Sequence, residues 1–308
     1  MILTVTLNFA LDVTYHAERF ARGETARIEK FSRQAGGKGV NGARVLHRLG
    51  RDVVVTGLAG GLVGRAARAE LGAAGIRDEL VEVDGESRLS VMVVEEDGQA
   101  TGFSEPGPVV TATEWQAFGE RFEHELLPAV DAVVIAGSLP RGVPDSAYAQ
   151  LIVAATAAGV PTLLDADGTA LELGVAARPT IVKINRSELE SVAGHPEVIA
   201  AAQALRRAGA GAVVITQGPS GLVGVTEEGE LLAAAPPEPL TGNPTGAGDA
   251  ASAALVAGLL DGVPWSARLV DAAAISAAAV CAPLAGWFDE PVYRRLRAEI
   301  IARELDSG

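Results

Sequence analysis

Cysteine is nearly absent from this chain. Cys281 is the single cysteine among 308 residues, so no disulfide can form within the chain, as expected in a reducing compartment. The first residues, MILTVTLNFALD, also lack the basic region of a secretory signal and reach the polar Asn8 and Asp12 too early. Both absences predict a cytoplasmic protein.

Histidine and long uncharged apolar runs are also scarce. The four histidines, His16, His47, His124 and His195, are scattered without metal-ligand spacing, which argues against a histidine metal site. They support no Ser-His-Asp or Cys-His arrangement either. The most apolar run, LVDAAAISAAAVCAPLAGWF, contains Asp271 and is mostly alanine. It therefore predicts a buried helix rather than a membrane span.

Positive charge is in the minority. The chain has 25 Lys and Arg against 39 Asp and Glu, a formal net charge of −14. This balance argues against nucleic acid or an anionic membrane as the main partner. An anionic small molecule stays compatible with it, because a few local donors outweigh a distant negative field. With 48% hydrophobic residues, the chain can form one large domain with a substantial core.

Strand-like and helix-like segments alternate through most of the chain. The predicted strands are the apolar runs Ile2–Leu7, Asp52–Thr56, Ala132–Ala136, Thr162–Asp165, Thr180–Val182 and Ala212–Thr216. The predicted helices include Val40–Leu49, Arg65–Ala73, Thr113–Leu126, Asp145–Ala157 and His195–Arg207. This alternation predicts an α/β fold with a mostly parallel central sheet and helices on both faces. Ligands of such sheets bind at the strand ends, where this chain carries its polar and glycine-rich residues.

Two segments depart from this alternation. Residues Thr14–Phe31 and Ser87–Phe103 carry alternating apolar and polar residues, and the second contains a turn signal at Asp97-Gly98. Both segments predict β-ribbons, which could pair into a small flap over the sheet. After Leu240 the chain is predicted to be almost entirely helical. No internal repeat, linker or domain boundary is visible.

The sequence TGAGD at residues 245–249 immediately precedes an alanine-rich helical stretch. The first amides of a helix have no intrahelical partner and carry partial positive charge, and glycines let an anion approach them. Phosphoryl transfer needs such donors and a carboxylate that orients and deprotonates the attacking hydroxyl. Asp249 is expected there with a depressed pKa. On these five residues alone, an ordinary glycine turn with an acidic first-turn residue is an equally good interpretation.

A second glycine-rich loop, QAGGKGVNGAR at residues 34–44, couples glycines, a lysine and a helix start. It predicts an anion or polyol site, although a loop with an exposed lysine is the simpler alternative. It is not a Walker A loop, because Gly39 follows Lys38 where Ser or Thr is required. GLAGGLVG at residues 57–64 lacks the dinucleotide-binding order of glycines and predicts only a tight strand-to-helix turn.

Taken together, these motifs resemble those of the phosphofructokinase B family of the ribokinase superfamily. The likeness is greatest to its branch of 1-phosphofructokinases and tagatose-6-phosphate kinases. It covers essentially the whole chain through TLNFALD, GGKGVNGARVLHRLG, GSLPRGVPDSAYAQLI, IVKINRSELE and NPTGAGDA, in this order. The resemblance implies one ribokinase-like domain over residues 1–308, with nine or so strands and a small β-sheet lid near residues 12–33 and 86–105. It also implies transfer of the ATP γ-phosphate to a sugar alcohol with Mg²⁺.

The resemblance also implies roles for individual residues. Asp249 is implied as the catalytic base, and the amides of Gly246, Ala247 and Gly248 as the anion hole. The residues implied for the substrate are Asp12, Gly37 and Asn41 for sugar hydroxyls, Arg27, Lys38 and Arg88 for its phosphate, and Ser138 at a strand end facing the same pocket. The residues implied for ATP are Lys183, Asn185, Glu188, Thr216, Gly218 and Gly221, with Asn185 and Glu188 organising Mg²⁺ through water.

Three positions depart from the branch pattern. Phe9 stands where relatives usually have proline, Ser90 replaces an asparagine and Met92 replaces a lysine. The last two fall in the expected lid, so these departures concern the sugar rather than the transfer chemistry.

The resulting prediction is an ATP- and Mg²⁺-dependent phosphotransferase that acts on a ketohexose phosphate, with no nucleic acid or membrane partner. Fructose 1-phosphate and fructose 6-phosphate rank first, followed by tagatose 6-phosphate. A homodimer through the lid is expected from the resemblance. The alternatives are a kinase of an unphosphorylated sugar or a nucleoside, and a non-catalytic sugar or nucleotide sensor. A dinucleotide-dependent dehydrogenase ranks last, because its glycine fingerprint is missing.

Overall fold

The computed structural model of the chain describes residues 1–21, 23–96, 99–193 and 197–305. The predicted turn at Asp97-Gly98 lies outside these residues, as do His195 and Pro196, the first two residues of the predicted helix His195–Arg207. Within the described part of the chain, no helix is both long and apolar enough to cross a membrane.

Strands and helices alternate along the chain. The described strands are β1 (Ile2–Asn8), β2 (Ala10–Ala17), β3 (Lys30–Gly36), β4 (Val53–Ala59), β5 (Arg77–Asp78), β6 (Val81–Glu82), β7 (Arg88–Glu95), β8 (Ala100–Ser104), β9 (Ala132–Ala136), β10 (Thr162–Asp165), β11 (Ile181–Asn185), β12 (Ala212–Thr216), β13 (Leu222–Val225), β14 (Leu231–Ala234) and β15 (Arg303–Glu304). The described α-helices are α1 (Lys38–Arg48), α2 (Gly61–Ala73), α3 (Ala112–Arg121), α4 (Ala147–Ala157), α5 (Gly168–Ala176), α6 (Arg186–Ala193), α7 (Val198–Ala208), α8 (Ala247–Leu260), α9 (Trp265–Val280) and α10 (Glu290–Glu299).

The large sheet contains eleven of the described strands in the order β15-β14-β13-β12-β11-β10-β9-β1-β4-β5, with β6 also paired to β4. Pairing is parallel from β5 to β12 and antiparallel from β12 to β15. The chain moves outward from β1 to β4 on one side and from β9 to β12 on the other. The carboxyl ends of these central strands therefore flank a topological switch point, the usual ligand crevice of open α/β sheets.

Apolar side chains cover both faces of this sheet. In β1, Leu3, Val5 and Leu7 belong to a buried layer with α3, α4, α5 and α7, whereas Ile2 belongs to a layer with α1, α8 and α9. A fully buried aliphatic side chain of this size stabilises the fold by roughly 1.5–3 kcal/mol. Residues Asp249–Gly258 of α8 are all buried, and their small side chains let α8 pack closely between α1 and α9.

The small sheet has the strand order β3-β2-β7-β8. It consists of two antiparallel pairs, β2–β3 and β7–β8, joined by the parallel pairing of β2 with β7. The chain enters it directly from β1 through Phe9, which is fully buried. This burial gives a packing role to one of the three residues that depart from the branch pattern.

The predicted architecture is confirmed: a mostly parallel sheet with helices on both faces, and a separate small sheet formed by the two β-ribbon segments. Three predicted strands extend further in the structure, most clearly Asp52–Thr56, which is observed as Val53–Ala59. The predicted helix Thr113–Leu126 ends as an α-helix at Arg121 and continues as a π-helix over Phe122–Leu126. The large sheet has eleven described strands rather than about nine, and three of them, β5, β6 and β15, have only two residues each. GLAGGLVG forms the predicted strand-to-helix turn.

Candidate active site

A cavity of about 1100 Å³ lies at the carboxyl ends of β11 and β12 and reaches across to the small sheet. We call one part of it the large-sheet end; it is lined by Lys183, Thr216, Gly218, Gly221, Thr241, Gly242, Pro244, Thr245 and the start of α8. The predicted site residues that line the cavity are Asp12, Gly37, Lys38, Asn41, Arg88, Lys183, Asn185, Thr216, Gly218, Gly221, Gly246, Ala247, Gly248 and Asp249. Residues more than 200 positions apart in the chain therefore meet in one cavity.

Helix α8 begins at the wall of this cavity, which Gly246, Ala247, Gly248 and Asp249 line. Gly246 precedes it with φ 85°, a left-handed conformation that favours glycine. A Cβ at Gly248 would lie 2.8 Å from Nζ of Lys183, so this glycine lets the ammonium approach the helix start. The amide of Ala247 donates to the carbonyl of Pro244 at 3.2 Å, so this member of the predicted anion hole already has a partner within the chain. The helix start thus combines a backbone dipole with a buried ammonium, which suits an anion.

Asp249 is buried in the first turn of α8. Its Oδ2 accepts a hydrogen bond from Nδ2 of Asn41 at 2.8 Å. The expectation of a depressed pKa is wrong. Burial, reinforced by the nearby carboxylate of Asp165, raises the pKa of Asp249 to about 6, although Lys183 and the Asn41 bond oppose the rise. Desolvation by burial is therefore the dominant influence, and Asp249 becomes a stronger base than an exposed aspartate.

Asp165, at the end of β10, is the centre of a buried charge network. It accepts from Nζ of Lys183 at 2.7 Å, Nζ of Lys38 at 3.0 Å and Oγ of Ser252 at 3.2 Å. Burial alone would raise the pKa of Asp165, but the two ammonium groups outweigh it and lower the pKa. This residue was missed by the sequence-based reasoning. Its position at the carboxyl end of a predicted central strand was the available signal.

Lys38 has a different environment from the one predicted. Its Nζ also donates to Oε1 of Glu188 at 2.9 Å, so two carboxylates already surround it. Burial would lower the pKa of Lys38, but Asp165 and Glu188 raise it above the ordinary value. The ammonium stays charged and largely neutralised by its neighbours, which leaves little net charge for a substrate phosphate.

Asn185 and Glu188 bracket the start of α6. The amide of Asn185 donates to Oε2 of Glu188 at 3.1 Å, and the amide of Glu188 donates to Oδ1 of Asn185 at 2.8 Å. These reciprocal bonds are those of a capping box and hold the two side chains together, with Asn185 at the wall of the cavity. Glu188 is not among the described residues that line the cavity. It lies behind Lys38, which does line the cavity and donates to Oε1 of Glu188.

The start of α1 approaches β1 unusually closely. Gly37 has φ 110°, and a Cβ there would overlap the side chain of Thr6. A Cβ at Gly39 would overlap both Thr6 and the carbonyl of Val5. These two glycines let α1 rest on the sheet, and this places Asn41 beside Asp249.

We call the part of the cavity lined by Asp12, Arg88, Ser90 and Ser104 the small-sheet end. Burial raises the pKa of Asp12 to about 6, with Asp249 adding to the rise and Arg88 opposing it. The guanidinium of Arg88 uses Nε to donate to the carbonyl of Asn8 at 3.2 Å. Asp12 and Arg88 thus place opposite charges on the wall that faces Asp249.

Two further predicted residues lie away from the main cavity. Ser138 accepts from Nδ2 of Asn8 at 3.2 Å and lines a neighbouring chamber of about 190 Å³. Arg27 is exposed in the segment between β2 and β3, and it is not among the described residues that line the cavity. The structure therefore does not bring Arg27 to the site. Ser104 was missed by sequence reasoning, because its position follows only from pairing between strands.

The fold and the cavity together define a small-molecule kinase of the ribokinase-like class. A model of the pfkB carbohydrate kinases matches residues 5–288. The 1-phosphofructokinase of Haemophilus influenzae is 33% identical over 313 residues, which cover 97% of this chain and 98% of that protein. The chain belongs to the pfkB family of carbohydrate kinases.

Solved structures show the same likeness. A possible 1-phosphofructokinase from Thermotoga maritima has a TM-score of 0.90 with 25% identity and covers 99% of both chains. Phosphofructokinase-2 from Escherichia coli, in complex with fructose-6-phosphate, has a TM-score of 0.87 with 27% identity. That match covers 97% of this chain and 98% of the Escherichia coli chain.

Proposed function

We propose that this kinase transfers the γ-phosphate of ATP to a hydroxyl group of a ketohexose phosphate. The observation that carries the proposal is the arrangement of Asp249 within the start of α8, beside Lys183 and hydrogen-bonded to Asn41. ATP occupies the large-sheet end in this proposal, and the acceptor occupies the small-sheet end. Fructose 1-phosphate and fructose 6-phosphate are the first candidate acceptors, and tagatose 6-phosphate follows.

In the proposed reaction Asp249 accepts the proton of the acceptor hydroxyl. The oxygen of that hydroxyl bonds to the γ-phosphorus, and the bond from this phosphorus to the β–γ bridging oxygen breaks, so that ADP leaves. The amides of Gly246 and Gly248, the helix dipole and Lys183 stabilise the negative charge of the transferred group. Closure of the small sheet over the acceptor would exclude water, which could otherwise be phosphorylated in its place.

The residues of the site also fit Mg²⁺ carried with the phosphates of ATP. Mg²⁺ prefers oxygen ligands and usually keeps several waters, with one or two carboxylates and the phosphates completing its shell. Asn185 provides such an oxygen at the cavity wall and Glu188 provides two behind Lys38, although the described residues contain no cluster of three His, Cys, Asp or Glu that could hold a metal. Both residues would therefore hold the ion through water. Bound Mg²⁺ would offset charge on the phosphates.

A kinase of an unphosphorylated sugar remains the second candidate, and one observation favours it. Arg27 is exposed away from the cavity, and Lys38 is already paired with Asp165 and Glu188. Of the three predicted phosphate-binding residues, Arg88 is therefore the one whose charge is available to an acceptor phosphate.

We also propose a cytoplasmic homodimer formed through the small sheet. Phe31 and Phe103 are 53% and 52% exposed. Both lie on the face opposite Ser90, because side chains alternate along each strand. Phe103 pairs with Val91, and Phe31 pairs with Tyr15, which in turn pairs with Val93. An apolar surface of this kind suits a second copy of the chain. A monomeric mass in solution would contradict this part of the proposal.

ADP release across a panel of acceptors tests the proposed function. Phosphorylated ketohexoses should support turnover at lower concentrations than free hexoses or nucleosides do. A free sugar used as efficiently as its phosphate would favour the second candidate. Tight ATP and sugar binding without turnover of any acceptor would indicate a sensor instead.

A further inference from the structure

The small-sheet end of the cavity contains a row of side chains that follows strand pairing. Asp12 on β2 pairs with Ser90 on β7, and Ser90 pairs with Ser104 on β8. Directly paired residues point to the same face of a sheet, with Cβ atoms about 5 Å apart. All three line the cavity, so the row presents one carboxylate followed by two hydroxyls to a bound molecule.

The two serine hydroxyls have no role in holding the protein together. Among the described residues, neither Ser90 nor Ser104 forms a side-chain hydrogen bond, and Ser104 is exposed. A hydroxyl group can donate one hydrogen bond and accept others. The pair is therefore available to a ligand without the loss of an internal contact.

The row of Asp12, Ser90 and Ser104 lies next to a side chain of opposite charge to Asp12. Arg88 precedes Ser90 by two residues on β7 and faces the same side, about 6.6 Å away along the strand. A phosphate group is attracted by Arg88 and repelled by Asp12, whereas neutral hydroxyls can bond to Asp12 and both serines. The wall thus discriminates between the charged end and the hydroxyl-bearing part of one acceptor.

We propose that Ser90 and Ser104 are specificity-determining residues that hydrogen-bond adjacent hydroxyls of the acceptor, while Arg88 binds its phosphate. This inference rests on the proposed function and adds the orientation of the sugar to it. The chemical class of the ligand is a polyhydroxylated sugar phosphate whose hydroxyls lie over the Asp12–Ser90–Ser104 row. Short side chains at both serine positions also keep this part of the wall open.

The test compares the full-length protein with the Ser90→Ala/Ser104→Ala double variant. The matched control is Ser32→Ala, a serine on β3 of the same sheet that is not among the described residues lining the cavity. Loss of two neutral hydrogen bonds should raise the KM for the best acceptor about tenfold. The KM for ATP and the kcat at saturating acceptor should change less than twofold. Ser90→Thr and Ser104→Thr keep the hydroxyl and should retain most of the affinity.

A deoxy analogue of the acceptor shows whether the serines act through hydrogen bonds or through the shape of the cavity wall. The analogue that lacks the contacted hydroxyl should bind wild type more weakly, and the double variant should lose little further affinity for it. Equal acceptor affinity of wild type and the double variant would overturn the inference. An equal loss with every deoxy analogue would overturn it as well.

Calorimetric binding of the sugar phosphate distinguishes this inference from the proposed function. Wild type that binds the acceptor but never releases ADP contradicts the proposed function. A tenfold loss of binding in the double variant would still support the serine contacts in that case. Thermal unfolding of each variant, compared with wild type, shows whether the fold is intact.

Discussion

The large-sheet end of the cavity is formed by strand ends and helix starts, whereas the small-sheet end is formed by side chains. At the large-sheet end, the start of α8 and the buried pair Asp165–Lys183 are held by the core of the fold. At the small-sheet end, Arg88, Ser90 and Ser104 project from strands that are only partly buried. Substitutions at the first end should therefore affect chemistry and stability, and those at the second should affect acceptor selection.

The largest expected effect is on turnover in Asp249→Asn. Asparagine keeps the shape and can still accept the hydrogen bond from Asn41, but it cannot take a proton. A general base contributes about 10²–10⁴-fold to the rate, so ADP release should fall by that factor while ATP affinity is retained. Asp261→Asn, at the other end of α8 and paired with Arg51 on the surface, is the matched control and should turn over normally. Near-normal activity of Asp249→Asn would remove the base from the mechanism.

Loss of the Asp165 carboxylate should be the largest stability effect. Asp165→Asn leaves the ammonium groups of Lys183 and Lys38 without their shared partner in a buried setting. Breaking a buried pair in this way typically costs about 3–5 kcal/mol of unfolding free energy, measurable by urea denaturation. Asp167→Asn, two residues further along and exposed, should change stability by less than about 0.5 kcal/mol. Similar midpoints for the two variants would show that the network contributes little.

The raised pKa of Asp249 predicts a stability cost that depends on pH. Folding favours the protonated carboxyl, because the pKa is higher in the folded state than in the unfolded state. The stabilisation that the protonated carboxyl contributes is therefore fully present below the ordinary pKa of 3.8 and is lost as pH rises through about 6. Asp249→Asn removes this cost and should be more stable than wild type at pH 8, by about 3 kcal/mol. The gain should be smaller at pH 5. Urea unfolding at both pH values measures it, and a gain independent of pH would contradict the assigned pKa.

The pH dependence of turnover also tests the raised pKa of Asp249. The base must be ionised, so kcat/KM should fall as pH drops below about 6. Asp12 has a pKa of about 6 as well. The pH profile of kcat/KM in Asp12→Asn shows which carboxyl causes the fall at low pH: the fall should persist if Asp249 causes it and disappear if Asp12 does.

The smallest effect is expected at the small-sheet end. Arg88→Ala should raise the KM for a phosphorylated acceptor about 10- to 100-fold, since a charged hydrogen bond contributes about 1.5–3 kcal/mol. Its effect on the KM for ATP should be slight. Arg27→Ala is the matched control and should leave both constants within twofold. A large effect of Arg27→Ala would show that this arginine reaches an acceptor by movement of its segment or from a second copy of the chain.

Much of the fold could be predicted from sequence because its signals are local. Periodicity identified the central strands, and TGAGD identified the start of α8, since a glycine before a helix and an acid in its first turn act within a few residues. The capping box of Asn185 and Glu188 is local in the same sense. The roles assigned to these residues stay predictions until the variants are measured.

Other properties of the site depend on groups far apart in the chain. Asp165 meets Lys38 across 127 positions, and Ser104 joins the cavity wall through its pairing with Ser90. The sequence by itself determined the α/β class, the two glycine-rich helix starts and the acidic residue that follows the second. Tertiary structure alone decided that burial and Asp165 raise the pKa of Asp249, that Lys38 is neutralised, and that Arg27 lies outside the cavity. These are sums of desolvation and Coulomb energies over residues that only folding brings together.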